Sequence, residues 1–357
     1  MRKHPKNGIM FPGYFFIILT IYAVVFVVGF FGNVWVIFTL LMIKNDRKQF
    51  VSANFKRLNA YLLSLCVTDL LVLSMIPMLV SYFFNGSWQL GYALCKVFWT
   101  VENVNKLLSV AILTIMSIER YLGICKPLSS NFGNKYNVSR LLLAAVIFSI
   151  SLCAPIIYYS GQKKYVFMSQ DHSIHHVKIS CNSDLPDAVL PFFVLYMCAF
   201  GFVIPAMFIL LSSCLVVRKV RGTTDSIRRH TTRRPSRLFR SVSSVVMFHF
   251  ACWTPFWLSV LLTLMSTSNA ATAQFISPRT VAFIKLITSF LPYINSAGNW
   301  IFYAALNRKI QRTSLEVRRR RHLEFSQSIP GSQPHSALDR MLSLTYFLMK
   351  VPSRRPL

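Results

Sequence analysis

The chain has 357 residues, 54% of them hydrophobic and only 14% charged, with a mean hydropathy of +0.48. A soluble domain covers its surface with about a quarter charged residues, so an ordinary soluble protein is excluded. The net charge of +28 invites a nucleic-acid reading, but the basic residues fall between long apolar runs rather than on one face of a polar fold, and nucleic acid is not an expected partner.

About 20 apolar residues in a helix cross a bilayer, and runs of that length occur seven times. Arg2, Lys3 and Lys6 precede an uncharged run over 7–43. That run is far longer than the roughly 7–15 residues of a signal peptide core, so it reads as the first span, after a short tail of residues 1–12. The second run, Leu58–Cys95, holds one charge, Asp69. The third, 97–125, holds Glu102, Lys106, Glu119 and Arg120. Runs 141–162, 188–217, 241–278 and 286–307 are uncharged apart from a possible proton on His249. Backbone groups must be satisfied internally in lipid, so these runs are helices. The expected fold is an all-α membrane protein, a seven-helix bundle over residues 13–306.

Orientation follows from Lys and Arg between the runs. The first connection carries Lys44, Arg47, Lys48, Lys56 and Arg57, the third Lys126, Lys135 and Arg140, and the fifth nine arginines and lysines from Arg218 to Arg240. The even connections carry few. The odd ones are therefore cytoplasmic and the N-terminus is extracellular, which suits a multi-pass protein of the plasma membrane. Residues 307–357 form a basic cytoplasmic tail. Its first part, Arg308–Arg321, has the pattern of an amphipathic helix held against the inner face by anionic lipid.

Of eight cysteines, only Cys95 and Cys181 fall on the outer side, where thiols meet an oxidising environment and tend to pair. The expectation is a Cys95–Cys181 disulfide, with two free thiols as the alternative. The outer loop 162–181 has β-prone flanks around Asp171-His172-Ser173, a hairpin pattern. Asn85-Gly86-Ser87 is an outward-facing glycosylation sequon close to the membrane.

The motifs inside the runs are more specific. Gly32-Asn33-Val34 lies in the first span and Leu65-Cys66-Val67-Thr68-Asp69 in the second. Trp88 precedes Cys95, and Glu119-Arg120-Tyr121 ends the third span. Pro205 breaks the fifth, Cys252-Trp253-Thr254-Pro255 lies in the sixth and Asn299-Trp300-Ile301-Phe302-Tyr303 in the seventh. Over about residues 14–318 the chain resembles the class A, rhodopsin-like G-protein-coupled receptors. Asn105, Ser109, Leu291-Pro292-Tyr293-Ile294-Asn295-Ser296 and Cys252-Trp253-Thr254-Pro255-Phe256 are similar to the somatostatin, opioid, galanin and allatostatin-C receptor types.

The resemblance implies roles. Asp69, with Asn33, Asn105, Ser109, Asn295, Ser296 and Asn299 around it, looks like the family's allosteric sodium site; a polar network with water is the plainer reading. No other cofactor is expected. Glu119, Arg120, Tyr121 and Tyr303, with Leu128 as an apolar knob, look like the switch that engages a heterotrimeric G protein, with Arg120 neutralised by Glu119 beside it. Trp253, Phe256, Lys285 and Tyr293 join Glu102 and Lys106 as candidate ligand contacts. For Glu102 two readings stand. It lies seven residues after Cys95, where related receptors carry an aspartate that meets a ligand cation. It also precedes Lys106 by four residues, the favourable order for an internal pair. Trp253 would be a rotamer switch, and Pro255 the hinge of the sixth helix.

The chain also departs from the family. Val146 stands near the usual tryptophan of the fourth span, Ser213 where a tyrosine is usual, His249 where a phenylalanine is usual, and Trp300 in place of the proline of the seventh-span motif. The expected function is a receptor for a small peptide that acts through a G protein, with the inhibitory class preferred. The alternative is a receptor for an amine or other small cation, or one that signals weakly because of Ser213, His249 and Trp300. A retinal photoreceptor is disfavoured, since Tyr293 stands where opsins carry the lysine. An enzyme finds no support in the residues.

Overall fold

The computed structural model describes residues 12–45, 53–125, 137–168, 174–221, 233–268 and 276–303. The N-terminal tail, Leu128, most of the fifth connection and the amphipathic tail over 308–321 lie outside the described residues.

The helices follow the apolar runs. They are α1 (Pro12–Asn45), α2 (Ala53–Leu73), α3 (Ile76–Asn85), α4 (Gly91–Cys125) and α5 (Val138–Tyr159), then α6 (Leu190–Cys198), a π-helical turn (Ala199–Val203), α7 (Ile204–Arg221), α8 (Arg233–Ser268), α9 (Pro278–Thr288) and α10 (291–303). Six spans are long and apolar enough to cross a membrane, with α2 and α3 forming one and α6 to α7 another. The seventh is α9 followed by α10.

Prolines decide where these spans break. A helical proline removes the hydrogen bond to the carbonyl four residues earlier. Pro77 would have bonded Leu73 and Pro292 would have bonded Thr288, and those are the residues at which α2 and α9 end. Pro205 removes the bond to Gly201 inside the π-helical turn, where the Ile204 amide reaches back to the Ala199 carbonyl. The apolar run 58–95 is therefore not one helix. It breaks at Ser74–Met75, and again after Asn85, where Gly86 takes φ 61° and Gly91 φ 87°. Such angles favour glycine because a Cβ clashes there.

The connection after α5 is β1 (Ser160–Met168) paired antiparallel with β2 (Ile174–Ser183), with Val166 opposite Val177 and Gln162 opposite Cys181. The hairpin is strapped to the mouth of the bundle. Cys95 of α4 is disulfide-bonded to Cys181 with Cα atoms 5.7 Å apart. The Trp88 amide donates to the Ile179 carbonyl at 2.7 Å, Tyr82 and Ser180 share a hydroxyl bond at 3.2 Å, and Lys163 pairs with Asp184 at 3.0 Å.

Burial is inverted relative to a soluble protein. Phe31, Phe38, Leu143, Phe192, Leu210, Met247 and Leu258 are exposed, on the face that lipid would cover. Asn33, Asp69, Ser109, His249, Asn295, Ser296 and Asn299 are buried inside. Small residues let the helices close on one another, as in other membrane bundles. A Cβ on Gly29 would lie 2.8 Å from Ala297 and Leu73. One on Gly32 would fall inside the Trp300 ring, which also meets Trp35 edge-to-face at 6.4 Å between centroids. Trp300 is thus accommodated by the glycine of the first-span motif. Overpacking of this kind costs roughly 1–3 kcal/mol. Gly32→Ala should shorten the thermal half-life of the detergent-solubilised protein, and Gly32→Ala with Trp300→Ala should recover much of it; additive losses in the double variant would contradict the contact.

Candidate functional site

Three polar levels lie inside the bundle between the hairpin and the opposite end. Nearest the hairpin, the Tyr293 hydroxyl of α10 donates to Oε1 of Glu102 on α4 at 2.5 Å. Tyr22 of α1 packs against both Tyr293 and Phe290, at 5.5 and 4.7 Å between centroids. Lys106 lies one turn along α4 from Glu102. Its Nζ donates to Asn103 Oδ1 at 3.3 Å and sits 5.5 Å from the centre of the Phe256 ring. No ion pair within 4 Å joins Glu102 to Lys106 among the described residues. The two charges attract each other through space without direct contact. Tyr293 reaches across the bundle to hold the carboxylate, and the lysine turns toward Phe256. Trp253 is fully buried on α8, 5.6 Å from the His249 ring and 5.4 Å from Phe256. Lys285 lies on α9, between the buried residues Val281 and Thr288, and Thr288 bonds the Ser259 hydroxyl of α8 at 2.7 Å.

The middle level surrounds Asp69, whose exposure is 0%. Asn299 Nδ2 donates to Asp69 Oδ2 at 3.0 Å. Asn33 Nδ2 donates to the carbonyls of Gly29 and Ser296 at 2.9 and 3.1 Å, tying α1 to α10. The Ser109 hydroxyl donates to the Asn105 carbonyl on its own helix at 2.7 Å. Several oxygens of this level remain without a partner. Oδ1 of Asp69, Oδ1 of Asn33, Asn105, Asn295 and Asn299, and Oγ of Ser296 are all buried with no hydrogen-bond partner. A buried polar atom left unsatisfied costs about 1–3 kcal/mol. A set of hard oxygens around one carboxylate is the donor chemistry of a hard cation rather than of zinc or copper. Among the described residues no three His, Cys, Asp or Glu side chains converge.

At the far end, Glu119 of α4 accepts a hydrogen bond from the Tyr61 hydroxyl at 2.6 Å and two from Arg57, one of them from Nε at 3.3 Å. Glu119 is thus held from the facing helix α2, whereas neighbouring residues on one helix point about 100° apart. Arg57 and Tyr61 lie four apart on one face of α2 and both reach Glu119. Arg57, at the end of the first connection by hydropathy, lies within the helix because α2 begins at Ala53. The spacing of Arg57 and Tyr61 was the available signal. Arg120 lines a small cavity of about 10 Å³ with Ser117, Ser212, Ser213 and Ser243, so the position of the usual tyrosine is here part of a hydroxyl-lined gap. Tyr121 ends up half-buried near the end of α4, and Tyr303 is buried at the end of α10 with its hydroxyl unbonded.

Comparison with known proteins agrees with this geometry. Residues 32–303 match the family described as 7 transmembrane receptor (rhodopsin family). The chain is 28% identical over 329 residues to neuropeptide receptor 18 of Caenorhabditis elegans, covering 87% of this chain and 67% of that protein. It is 30% identical over 300 residues to somatostatin receptor type 4 of Rattus norvegicus, covering 83% and 71%. With somatostatin receptor type 3 of the same species the identity is 27% over 336 residues, covering 89% and 72%. The match over most of the chain, with the disulfide, the broken spans and the buried carboxylate in place, means that this protein belongs to the rhodopsin family of seven-transmembrane receptors.

Proposed function

We propose that the chain is a receptor for a small peptide, acting through a heterotrimeric G protein of the inhibitory class, in the plasma membrane with its N-terminus outside. The observation that carries this reading is the strapped hairpin over the end of the bundle where Glu102 and Lys106 are only half-buried and Lys285 is exposed. Relatives named for a neuropeptide and for somatostatin support it. The direct test is a peptide library applied to cells expressing the chain, with inhibitory and calcium-linked signals read together. The reading expects at least one short peptide to trigger the inhibitory signal. A response to small amines alone would contradict it.

Asp69 and the unsatisfied oxygens around it would hold a sodium ion that favours the inactive arrangement. The fit rests on those oxygens, which a monovalent cation would satisfy without adding acceptors. Coupling between sodium and agonist is reciprocal. Raising sodium should therefore weaken agonist binding in the wild type, with choline as the control for ionic strength, and Asp69→Asn should remove the effect. Equal responses of the two proteins would leave a plain polar network.

The Arg57–Glu119–Tyr61 group would hold the end of α4 to α2 until the G protein engages Arg120 and Tyr121. Both side chains of the ion pair are less than one-fifth exposed, so solvent screens it only in part. Hydrogen bonds to charged groups are worth about 1.5–3 kcal/mol, and one or two kcal/mol shifts a two-state balance by a factor of about 5–30. Arg57→Ala should raise basal nucleotide exchange several-fold, and Glu119→Gln on top of it should add little. Unchanged basal exchange at wild-type surface expression would remove the pair from the switch.

A further inference from the structure

The charges at the hairpin end of the bundle do not cancel. Glu102 has one oxygen taken by Tyr293 at 2.5 Å. Lys106 has no carboxylate within 4 Å among the described residues; its polar contact is the neutral Asn103 side chain at 3.3 Å, and the face of Phe256 lies beyond. Lys285 adds a second ammonium. It follows Val281 by four residues and precedes Thr288 by three, and both are buried, so all three share the inward face of α9. Phe283 and Ile287, 55% and 51% exposed, mark the opposite face. Lys285 is nevertheless exposed, so the inward face is open at its level; Lys106 is attracted by Glu102 and, more weakly, repelled by Lys285. Two further lysines at this end are engaged elsewhere. Lys96 donates to the carbonyls of Ile157 and Tyr158 at 2.7 and 3.1 Å, and Lys163 pairs with Asp184.

Two ammonium groups thus face one carboxylate that is already hydrogen-bonded. A ligand cation entering here meets like charge, and repulsion is stronger in a low-dielectric cavity than in water. A ligand carboxylate meets the reverse situation. It gains charge-assisted hydrogen bonds and supplies a second counter-charge where two ammonium groups share the single carboxylate of Glu102. We propose that this end of the bundle binds its ligand through a carboxylate reached by Lys106 and Lys285, with an aromatic or apolar group against Phe256. Glu102 then serves as the acceptor that fixes Tyr293, not as the anchor for a ligand cation. The inference rests on the reading of this end as the peptide site, and the carboxylate belongs to a peptide C-terminus or to an acidic side chain.

The test uses fragments, so it needs no identified peptide. The full chain in detergent is titrated with N-acetyl-phenylalanine, its uncharged amide, the cationic phenylalaninamide, and N-acetyl-aspartyl-phenylalaninamide, and the unfolding temperature is followed. At least one of the two acids should stabilise the protein while the amide and the amine do not. Preference for the first acid marks a C-terminal carboxylate, and preference for the aspartyl compound marks a side chain. Lys106→Met and Lys285→Met should each weaken acid binding about tenfold, the loss expected for one charge-assisted bond. Lys106→Arg and Lys285→Arg, which keep the charge, should retain the preference for acid and so separate charge from misfolding. Glu102→Gln should leave acid binding in place. Stronger stabilisation by the amine, acid binding undiminished in both methionine variants, or no binding of any fragment at millimolar concentration would each overturn the proposal. If acids bind while the peptide library stays silent, only the peptide reading falls.

Discussion

Asp69 sits in the middle of a span with 0% exposure, and Asn299 of α10 donates to it at 3.0 Å. An aspartate at the centre of a bilayer costs about 3 kcal/mol even by the milder insertion scales. That cost is tolerable only if the carboxylate faces protein, and the surrounding chain is arranged so that it does. Asn33, Asn105, Ser109, Asn295, Ser296 and Asn299 bring side-chain oxygens and amides inward from α1, α4 and α10, while the opposite faces of the same helices are apolar. The packing that allows this is close. Gly29 lies against Ala297 and Gly32 against Trp300, so that Asn33 can reach the backbone of Ser296.

The same constraint organises the two ends. Toward the hairpin, Glu102 and Lys106 are half-buried, and Lys106 lies between the Asn103 oxygen and the Phe256 ring with the charge of Glu102 one turn away. Toward the far end, Glu119 is neutralised across helices by Arg57 and Tyr61. Between the two ends lie the family departures. His249 takes a phenylalanine's place beneath Trp253, Ser213 opens a gap beside Arg120, and Trp300 fills space against Gly32. Each sits at a packing contact between the two ends of the bundle while leaving the helices in place.

Much of this was legible in the residues. Seven apolar runs, the solitary Asp69, and two cysteines on one side of the membrane are one-dimensional signals, and the spans and the Cys95–Cys181 bond follow from them. The hairpin was visible in its β-prone flanks. Side-chain partners were less visible. Glu102 finds Tyr293 at a separation of 191 residues, and Glu119 finds Arg57 at 62, whereas local spacing pointed to Lys106 and Arg120. Sequence neighbours on a helix compete with groups on facing helices, and only the packing decides between them. The breaks at Leu73 and Thr288 were within reach, since each lies four residues before a proline. They were missed because hydropathy runs straight through them.

The account depends on a polar track that faces inward and opens to water only at the hairpin end. Cysteine accessibility tests that arrangement most directly. With the exposed Cys214 replaced by Ser, single substitutions Glu102→Cys, Lys106→Cys and Lys285→Cys are compared with Phe283→Cys and Ile287→Cys in intact cells, using a membrane-impermeant thiol reagent. The account predicts rapid labelling at 102, 106 and 285 and none at 283 and 287. Labelling at 283 and 287 with 102, 106 and 285 protected would turn α9 and α4 to the wrong faces and contradict it.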